Sequence, residues 1–173
     1  MVNPIRLTNK LLVAPQIDVG DLDALSAVGI NTIICNRPDG EKAGQPSSGA
    51  LAAAANERGM SFTFMPVSMK FEHGPDDIAT FAQIVEGASG EVLAFCGTGR
   101  RSTNMWALSQ RGTSDADEII RVAGQSGFDL SSMREALAAA PPQNQAAAAP
   151  SSADGTDAGP ARKRGFWSRL FGA

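Results

Sequence analysis

The sequence predicts an α/β fold with a central, mostly parallel sheet of about four to five strands flanked by helices. Three observations indicate this class. Short apolar runs alternate along the chain with longer stretches of helical periodicity, an order typical of parallel sheets covered on both faces. The runs stop at proline, glycine or polar residues, which commonly end strands and helices. The apolar content, 43% of 173 residues, is sufficient for the core of one domain of ordinary size.

Each predicted element has its own local signal. Strands are predicted where a short apolar or alternating run meets a turn signal, at residues 11–14, 32–35, 61–65 and 92–95. Helices are predicted from capping residues, apolar periodicity and terminal glycines, at about 18–29, 47–58, 75–86, 103–110, 114–124 and 130–140. In parallel sheets the chemistry lies at the carboxyl ends of the strands. We therefore expect a site where the loops after Cys35, Pro66 and Phe95 meet.

Composition narrows the function classes. A net charge of −3 and a pI near 5.1 give no reason to expect nucleic-acid binding. The two cysteines form neither a disulfide framework nor a Cys-x-x-Cys motif, and with a single histidine we predict no metal site and no cofactor. The N-terminus lacks a signal-peptide core, and no stretch reaches the ~20 apolar residues of a spanning helix. These features predict a cytoplasmic protein in which a thiol stays reduced.

The predicted catalytic domain covers residues 1–140, and the composition then changes. Residues 141–161 are almost entirely small or polar, which predicts a disordered linker. Residues 162–173 form a basic tail with interleaved aromatic side chains, and its segment 162–171 is the part expected to dock. That segment is compatible with docking at an anionic membrane surface or on a protein partner, and equally with a frayed soluble tail.

The stretch that follows the strand at 92–95 carries the clearest functional signal. Here Cys96 precedes two glycines, two arginines and a serine, within the sequence Cys96-Gly97-Thr98-Gly99-Arg100-Arg101-Ser102. A strand, a tight loop and a helix N-terminus in succession gather backbone N–H groups into an anion cradle. A cysteine in such a cradle is expected to be the nucleophilic thiolate, and a guanidinium can hold an oxyanion through two hydrogen bonds. The alternative is a buried structural cysteine, which the surrounding glycines and arginines disfavour.

The loop after Cys35 offers further candidates. Arg37 could add positive charge at the rim of the site, or it could form a structural salt bridge, and both interpretations remain open. Cys35 itself is expected to pack in the sheet. It could resolve an oxidised Cys96 only if the two strands were neighbours.

Several motifs taken in order resemble one family. They are Pro15-Gln-Ile, Asn36-Arg-Pro-Asp-Gly-Glu41, Gly44-Gln-Pro46, Pro66-Val67, Leu93-Ala-Phe-Cys96 with Gly99, Arg101 and Ser102, and Trp106-Ala-Leu. Over residues 5–138 the chain resembles the beta-lactamase-hydrolase-like protein, phosphatase-like domain family. The resemblance implies a dual-specificity-phosphatase-like fold, a catalytic Cys96 and Arg101 as its anion-binding partner. Family members commonly carry Arg-Ser directly after the cysteine, whereas this chain has Gly97 and Thr98 and places its extra arginine at Arg100.

Members of that family are described as tyrosine-phosphatase-like enzymes or as sulfur transferases, and both use a thiolate. Four residues separate Cys96 from Arg101, one fewer than in cysteine-dependent phosphatases, and the pattern resembles that of single-domain rhodaneses. A smaller loop suits a persulfide better than a phosphoryl group. Our first prediction is therefore a sulfur transferase that forms a persulfide on Cys96 from a small-molecule donor, with residues 97–102 as the anion cradle.

Two alternatives stay open. The first is a phosphatase that acts on a phosphorylated substrate through a phosphocysteine. It needs a general acid, for which Asp39, Glu72 and His73 are the candidates, although turn formation is the favoured interpretation of Asp39 and a solvated loop that of His73. The second alternative is a domain that binds anions without catalysis.

Overall fold

The computed structural model describes residues 1–74 and 76–139, and the predicted linker and tail lie outside these residues. The strands are β1 (Ile5–Arg6), β2 (Leu11–Ala14), β3 (Ile30–Cys35), β4 (Ser61–Phe64) and β5 (Glu91–Phe95). The helices are α1 (Leu22–Ala27), α2 (Ser48–Asn56), α3 (Asp77–Gly87), α4 (Arg100–Ser109), α5 (Ala116–Gln125) and α6 (Arg134–Ala138), with 3-10 turns at Val19–Asp21 and Ser131–Met133.

The five strands form one sheet in the order β1-β2-β5-β3-β4. Strands β2, β5, β3 and β4 are parallel, and only β1 is antiparallel to its neighbour. The predicted fold class is confirmed. Strand β1 was not predicted, because its two residues are exposed at the edge and give no apolar run.

The core lies on both faces of the sheet, and the central strand β5 shows why. Val92 and Ala94 pack in the cluster under α3 to α6, whereas Leu93 and Phe95 pack in the cluster under α1 and α2. All four side chains are fully buried. A strand that is covered on both faces has a nearly continuous apolar sequence, as residues 92–95 of β5 do. Each large side chain buried in this way contributes about 1.5–3 kcal/mol to folding.

All six predicted helix starts differ from the observed ones, by one to four residues, and two cases stand out. Helix α4 begins at Arg100, three residues before the predicted start, because Gly99 adopts φ 87° and accepts the first helical hydrogen bond from the backbone N–H of Thr103 (3.0 Å). The predicted helix at 130–140 is shorter, with a 3-10 turn before α6. The first change matters for function, since it places both arginines in the first turn of a helix.

Across the described residues, no helix combines the length and the apolar character that crossing a bilayer requires.

Candidate active site

The site lies where the carboxyl ends of the central parallel strands meet. Cys96 directly follows β5, only 1% of its surface is exposed, and its N–H donates to the carbonyl of Ala14 at the end of β2 (3.3 Å). On the other side Asn36, which follows β3, donates its N–H to the carbonyl of Phe95 (2.8 Å). Both neighbouring strands therefore fix the backbone on which the cysteine sits.

The loop between Cys96 and α4 is shaped by Gly99. Its φ of 87° lies in the left-handed region, which residues other than glycine adopt at a cost. A Cβ at this position would also lie 3.2 Å from the ring of Phe128 and 3.5 Å from the carbonyl oxygen of Ala14. The tight turn brings the N-terminus of α4, with its unpaired backbone N–H groups, directly after the cysteine. The anion cradle predicted for residues 97–102 therefore has a physical basis in this turn.

Arg101 lies in the first turn of α4 and is held on one side by the carboxylate of Glu41. Its Nη1 donates to Oε1 of Glu41 (2.5 Å) and to the carbonyl of Val67 (2.8 Å), and its Nη2 donates to Oε2 of Glu41 (2.8 Å). The hydrogen bonds to Glu41, followed by the nearby Cys96, raise the pKa of Arg101, so it stays protonated. They also lower the pKa of Glu41, with Arg37 as a further cause, so that carboxyl is ionised at neutral pH.

Arg37 extends this arrangement to the next loop. Its Nε donates to Oε2 of Glu41 (2.9 Å), and its Nη1 donates to the side-chain oxygen of Gln16 (2.8 Å). A Cβ on Gly97 would lie 3.3 Å from Nη2 of Arg101 and 3.9 Å from Nε of Arg37. Both guanidinium groups thus lie beside the cysteine loop at Gly97. The salt bridge considered for Arg37 is present, and Arg37 also lines the site.

A cavity of about 590 Å³ opens above the cysteine loop. This volume is within the range of small-molecule sites. Four basic side chains and one acidic side chain contribute to its wall, together with the apolar side chains of the loop after β4. The lining residues are Arg37, Glu41, Lys42, Met69, Phe71, Gly97, Thr98, Arg100, Arg101 and Asn104. The cavity therefore suits an anion attached to an apolar group.

The three candidate general acids lie elsewhere. Both carboxylate oxygens of Asp39 accept hydrogen bonds from Ser48, one from its N–H (2.7 Å) and one from its hydroxyl (2.8 Å), at the start of α2. Glu72 accepts from the hydroxyl of Ser68 (3.0 Å) within its own loop, and Nδ1 of His73 lies 2.8 Å from the carbonyl of Gly74. None of the three lines the cavity.

The remaining predicted residues have distinct surroundings. Arg100 lines the cavity and donates to the carbonyl of Asp129 (3.1 Å), and Thr98 lines the cavity beside it. Ser102 is fully buried, and its hydroxyl has no hydrogen-bond partner among the described residues. Cys35 lies on β3, the strand next to β5, in register with Phe95. Burial raises the pKa of Cys35 to about 11, and its thiol donates to the carbonyl of Arg37 (3.4 Å).

Sequence reasoning missed the two residues that hold the arginines of this site, Glu41 and Gln16, and four residues that line the cavity, Lys42, Met69, Phe71 and Asn104. Glu41 stands in the segment 36–41, whose closely spaced proline and glycine are typical of a turn. Its spacing of four residues from Arg37 was the available signal, because such a spacing permits an ion pair. Gln16 had no such signal, since only the strand order brings the end of β2 beside the loop after β3. Within residues 1–74 and 76–139 no group of three or more His, Cys, Asp or Glu side chains could hold a metal ion.

A cysteine after the central strand, a glycine turn and an arginine in the first turn of the next helix are the features of phosphatase-like α/β domains with a cysteine loop. A family model provides the second step, since it matches residues 5–113 under the description "Beta-lactamase hydrolase-like protein, phosphatase-like domain". The chain belongs to this family.

Relatives with curated descriptions carry the same family name. The beta-lactamase hydrolase-like protein of Agrobacterium fabrum (strain C58) is 36% identical over 132 residues, which cover 73% of this chain and 30% of that protein. The protein of the same name from Xylella fastidiosa (strain Temecula1) is 30% identical over 128 residues, with the same two shares. The chain therefore spans less than a third of the length of these relatives.

Solved structures show the same fold. The protein nma1982 of Neisseria meningitidis Z2491, provisionally assigned as a phosphatase, is 34% identical with a TM-score of 0.68, covering 77% of this chain and 94% of the other. A kinase associated phosphatase with its catalytic-site cysteine replaced by serine is 14% identical, with a TM-score of 0.61 and coverages of 79% and 91%. The second similarity shows the fold alone. Together they confirm the dual-specificity-phosphatase-like architecture.

Proposed function

We propose that this domain is a cysteine-dependent phosphatase that hydrolyses phosphate monoesters through a phosphocysteine on Cys96. The observation that carries the proposal is the position of Cys96 between the end of β5 and the N-terminus of α4, with the Arg101 guanidinium beside it. The family description and the fold shared with phosphatases support the same reaction class. Our first prediction, sulfur transfer, has no comparable support from the relatives.

The reaction has two steps. The Cys96 thiolate attacks phosphorus, an S–P bond forms, and the P–O bond to the leaving group breaks with its electron pair going to oxygen. Water then attacks the phosphocysteine, releasing inorganic phosphate and restoring the thiolate. In both steps the backbone N–H groups of the loop and Arg101 stabilise the negative charge on the equatorial oxygens.

The acids around the cavity determine which esters would react. Glu41 is the acidic side chain that lines the cavity, and its lowered pKa leaves it ionised and unable to donate a proton near neutral pH. The leaving oxygen would then take its proton from water. Such an enzyme favours substrates whose leaving groups are already stable as anions, such as aryl phosphates, over simple alkyl phosphates.

Sulfur transfer is the second candidate, and two observations favour it. Only four residues separate Cys96 from Arg101, and none of the three candidate acids lines the cavity. In this reaction the thiolate attacks the outer sulfur of thiosulfate, the S–S bond breaks, and sulfite leaves with the electron pair. An acceptor thiolate then removes the outer sulfur from the persulfide. No step needs a proton donor.

One pair of measurements separates the candidates. Wild type and Cys96→Ser are incubated with 4-nitrophenyl phosphate, and separately with thiosulfate followed by intact mass determination. Hydrolysis by the wild type alone supports the phosphatase. A mass gain of one sulfur atom on the wild type alone, without hydrolysis, contradicts it and supports the sulfur transferase. If neither signal appears while phosphate still binds, the domain is an anion-binding module.

A further inference from the structure

We propose that Glu41 is a positioning residue that fixes the guanidinium of Arg101 so that one edge of it faces the substrate. The inference deepens the proposed function and rests on it, because it assigns how the anion site of that reaction is assembled. Neither the family pattern nor the candidate acids assign a role to this carboxylate.

The argument starts from the donors of Arg101. A guanidinium has five N–H groups in a fixed planar arrangement. Glu41 takes one hydrogen from each terminal nitrogen, through the pair at 2.5 and 2.8 Å, and the carbonyl of Val67 takes the other hydrogen of Nη1 at 2.8 Å. Two donors remain, the Nε–H and the second Nη2–H. No carbonyl or carboxylate oxygen of the described residues accepts from either of them.

These two remaining donors share one edge of the planar group. Parallel N–H groups on one edge are the arrangement that binds two oxygens of a phosphate or carboxylate at once. Nη2, one of the two nitrogens of this edge, lies beside the cysteine loop, 3.3 Å from the position that a Cβ on Gly97 would occupy. Glu41 therefore occupies the end of the guanidinium formed by Nη1 and Nη2 and leaves the edge formed by Nε and Nη2 for the substrate.

The surroundings make this orientation rigid. The side chains of Arg101 and Glu41 are only 11% and 18% exposed, so few other rotamers are open to them. Glu41 also accepts a hydrogen bond from Arg37, and Arg37 donates a second one to Gln16. Through Arg37 and Gln16 the Glu41 carboxylate is connected to the ends of β3 and β2. This chain of contacts sets the position of Arg101 relative to Cys96.

An alternative role is competition, in which Glu41 would occupy the anion site as a substitute for the substrate. The two roles predict opposite effects of removing the carboxylate. A competitor that is removed leaves the arginine free and increases anion affinity. A positioning residue that is removed leaves the arginine misplaced and decreases it.

The test measures kcat and KM for 4-nitrophenyl phosphate and the Kd of inorganic phosphate in Glu41→Ala, Glu41→Gln, Arg101→Ala and the double variant Glu41→Ala/Arg101→Ala. Glu118→Ala is the matched control, because Glu118 forms a two-point pair with Arg121 on α5, away from the site. We expect Glu41→Ala to lose kcat/KM by about 10²-fold, the usual effect of displacing a catalytic group by about 1 Å. The isosteric Glu41→Gln keeps one acceptor and is expected to lose less.

The double variant provides the decisive comparison. If Glu41 acts through Arg101, its removal changes kcat/KM by less than about 2-fold once Arg101 is already alanine. The control Glu118→Ala should likewise stay within about 2-fold of the wild type. Equal losses in both backgrounds, or tighter phosphate binding by Glu41→Ala, would overturn the proposal.

The outcomes also separate this inference from the proposed function. If the wild type hydrolyses no phosphate ester but binds inorganic phosphate, the proposed function fails, and the Kd series still decides the role of Glu41. If Glu41→Ala does not fold, Glu41→Gln takes its place in the same cycle. A wild type that neither turns over substrate nor binds phosphate would contradict the inference as well.

Discussion

The two cysteines of this chain end neighbouring parallel strands, and comparing them shows what makes one a candidate nucleophile. Cys35 and Cys96 are 2% and 1% exposed, and Cys35 lies in register with the residue just before Cys96. Neither burial nor position in the sheet distinguishes them. The difference lies in the residues that follow each strand.

After Cys35 the chain enters a turn-rich segment without a helix start, and the thiol donates to the carbonyl of Arg37. Burial raises its pKa to about 11, so it stays a thiol at neutral pH. After Cys96 the chain turns at Gly99 directly into α4, whose N-terminus and arginines favour an anion. The four residues between Cys96 and Arg101 are therefore what makes Cys96, rather than Cys35, the candidate nucleophile.

The largest expected effect comes from exchanging the two cysteines for serine in turn. Cys96→Ser should lower turnover on the order of 10⁴-fold or more, since it removes the nucleophile, whereas Cys35→Ser should keep most of the activity. Iodoacetamide at pH 7 should leave Cys35 of the Cys96→Ser variant unmodified until the protein is denatured. Rapid alkylation of native Cys35, detected by intact mass, would show that this thiol is reactive in the folded protein as well.

The two loops also differ in the role expected of their arginines, Arg101 after Cys96 and Arg37 after Cys35. Arg101→Lys should lower kcat/KM by about 10²-fold, because an ammonium cannot present two parallel donors to an oxyanion. Arg37→Lys should cost clearly less, since the two contacts of Arg37 go to Glu41 and Gln16. Steady-state kinetics with 4-nitrophenyl phosphate measure both, and equal losses would mean that Arg37 matters as much as Arg101, by contact with the substrate or by fixing Glu41.

These contrasts also show how much the sequence could predict. Strands β2 to β5, the cysteine loop and Arg101 are predictable, because each has a local signal such as an apolar run, two glycines or a fixed spacing. The α4 start was placed three residues late, since glycine and arginine look like loop residues until Gly99 is seen at φ 87°. The pairing of Glu41 with Arg101 spans 60 positions and depends on the strand order, which no local pattern contains.

A third contrast concerns the glycines of the two loops. Gly99 and Gly40 both have a positive φ, 87° and 76°, but only at Gly99 would a Cβ meet neighbours, at 3.2 and 3.5 Å. Alanine should cost about 1–2 kcal/mol at either position from backbone strain. Gly99→Ala should cost more than Gly40→Ala because of this crowding, and denaturant unfolding measures the difference. Equal losses would show that Phe128 moves aside freely.

The smallest expected effect is a pH dependence of stability that comes from Glu41, whose ion pair with Arg101 connects the loop after β3 to the start of α4. Hydrogen bonds from Arg101, and then from Arg37, lower the pKa of Glu41 in the folded protein. Its ion pairs therefore stabilise the fold at pH values above the ordinary glutamate pKa of ~4.3, and the stabilisation is lost as the pH falls through the lower folded-state pKa.

The corresponding measurement compares the Tm of the wild type and Glu41→Gln from pH 7 to pH 3. An ion-pair contribution of about 1 kcal/mol gives a Tm difference of ~3 °C at pH 7. The difference should shrink below the ordinary glutamate pKa. A difference that stays constant down to pH 3 would mean that the carboxylate charge contributes nothing to stability.

The central position of β5 has a consequence for how the domain opens. Amide hydrogens in a strand buried on both faces and paired on both edges exchange with solvent only when the whole domain unfolds, whereas those of a short exposed edge strand exchange through local fraying. We therefore expect the amides of β5, which Cys96 follows, to exchange much more slowly than those of β1. Fluctuations that open the β1 edge of the sheet would then leave Cys96 and its neighbours in place, and the candidate site would stay assembled for as long as the domain is folded.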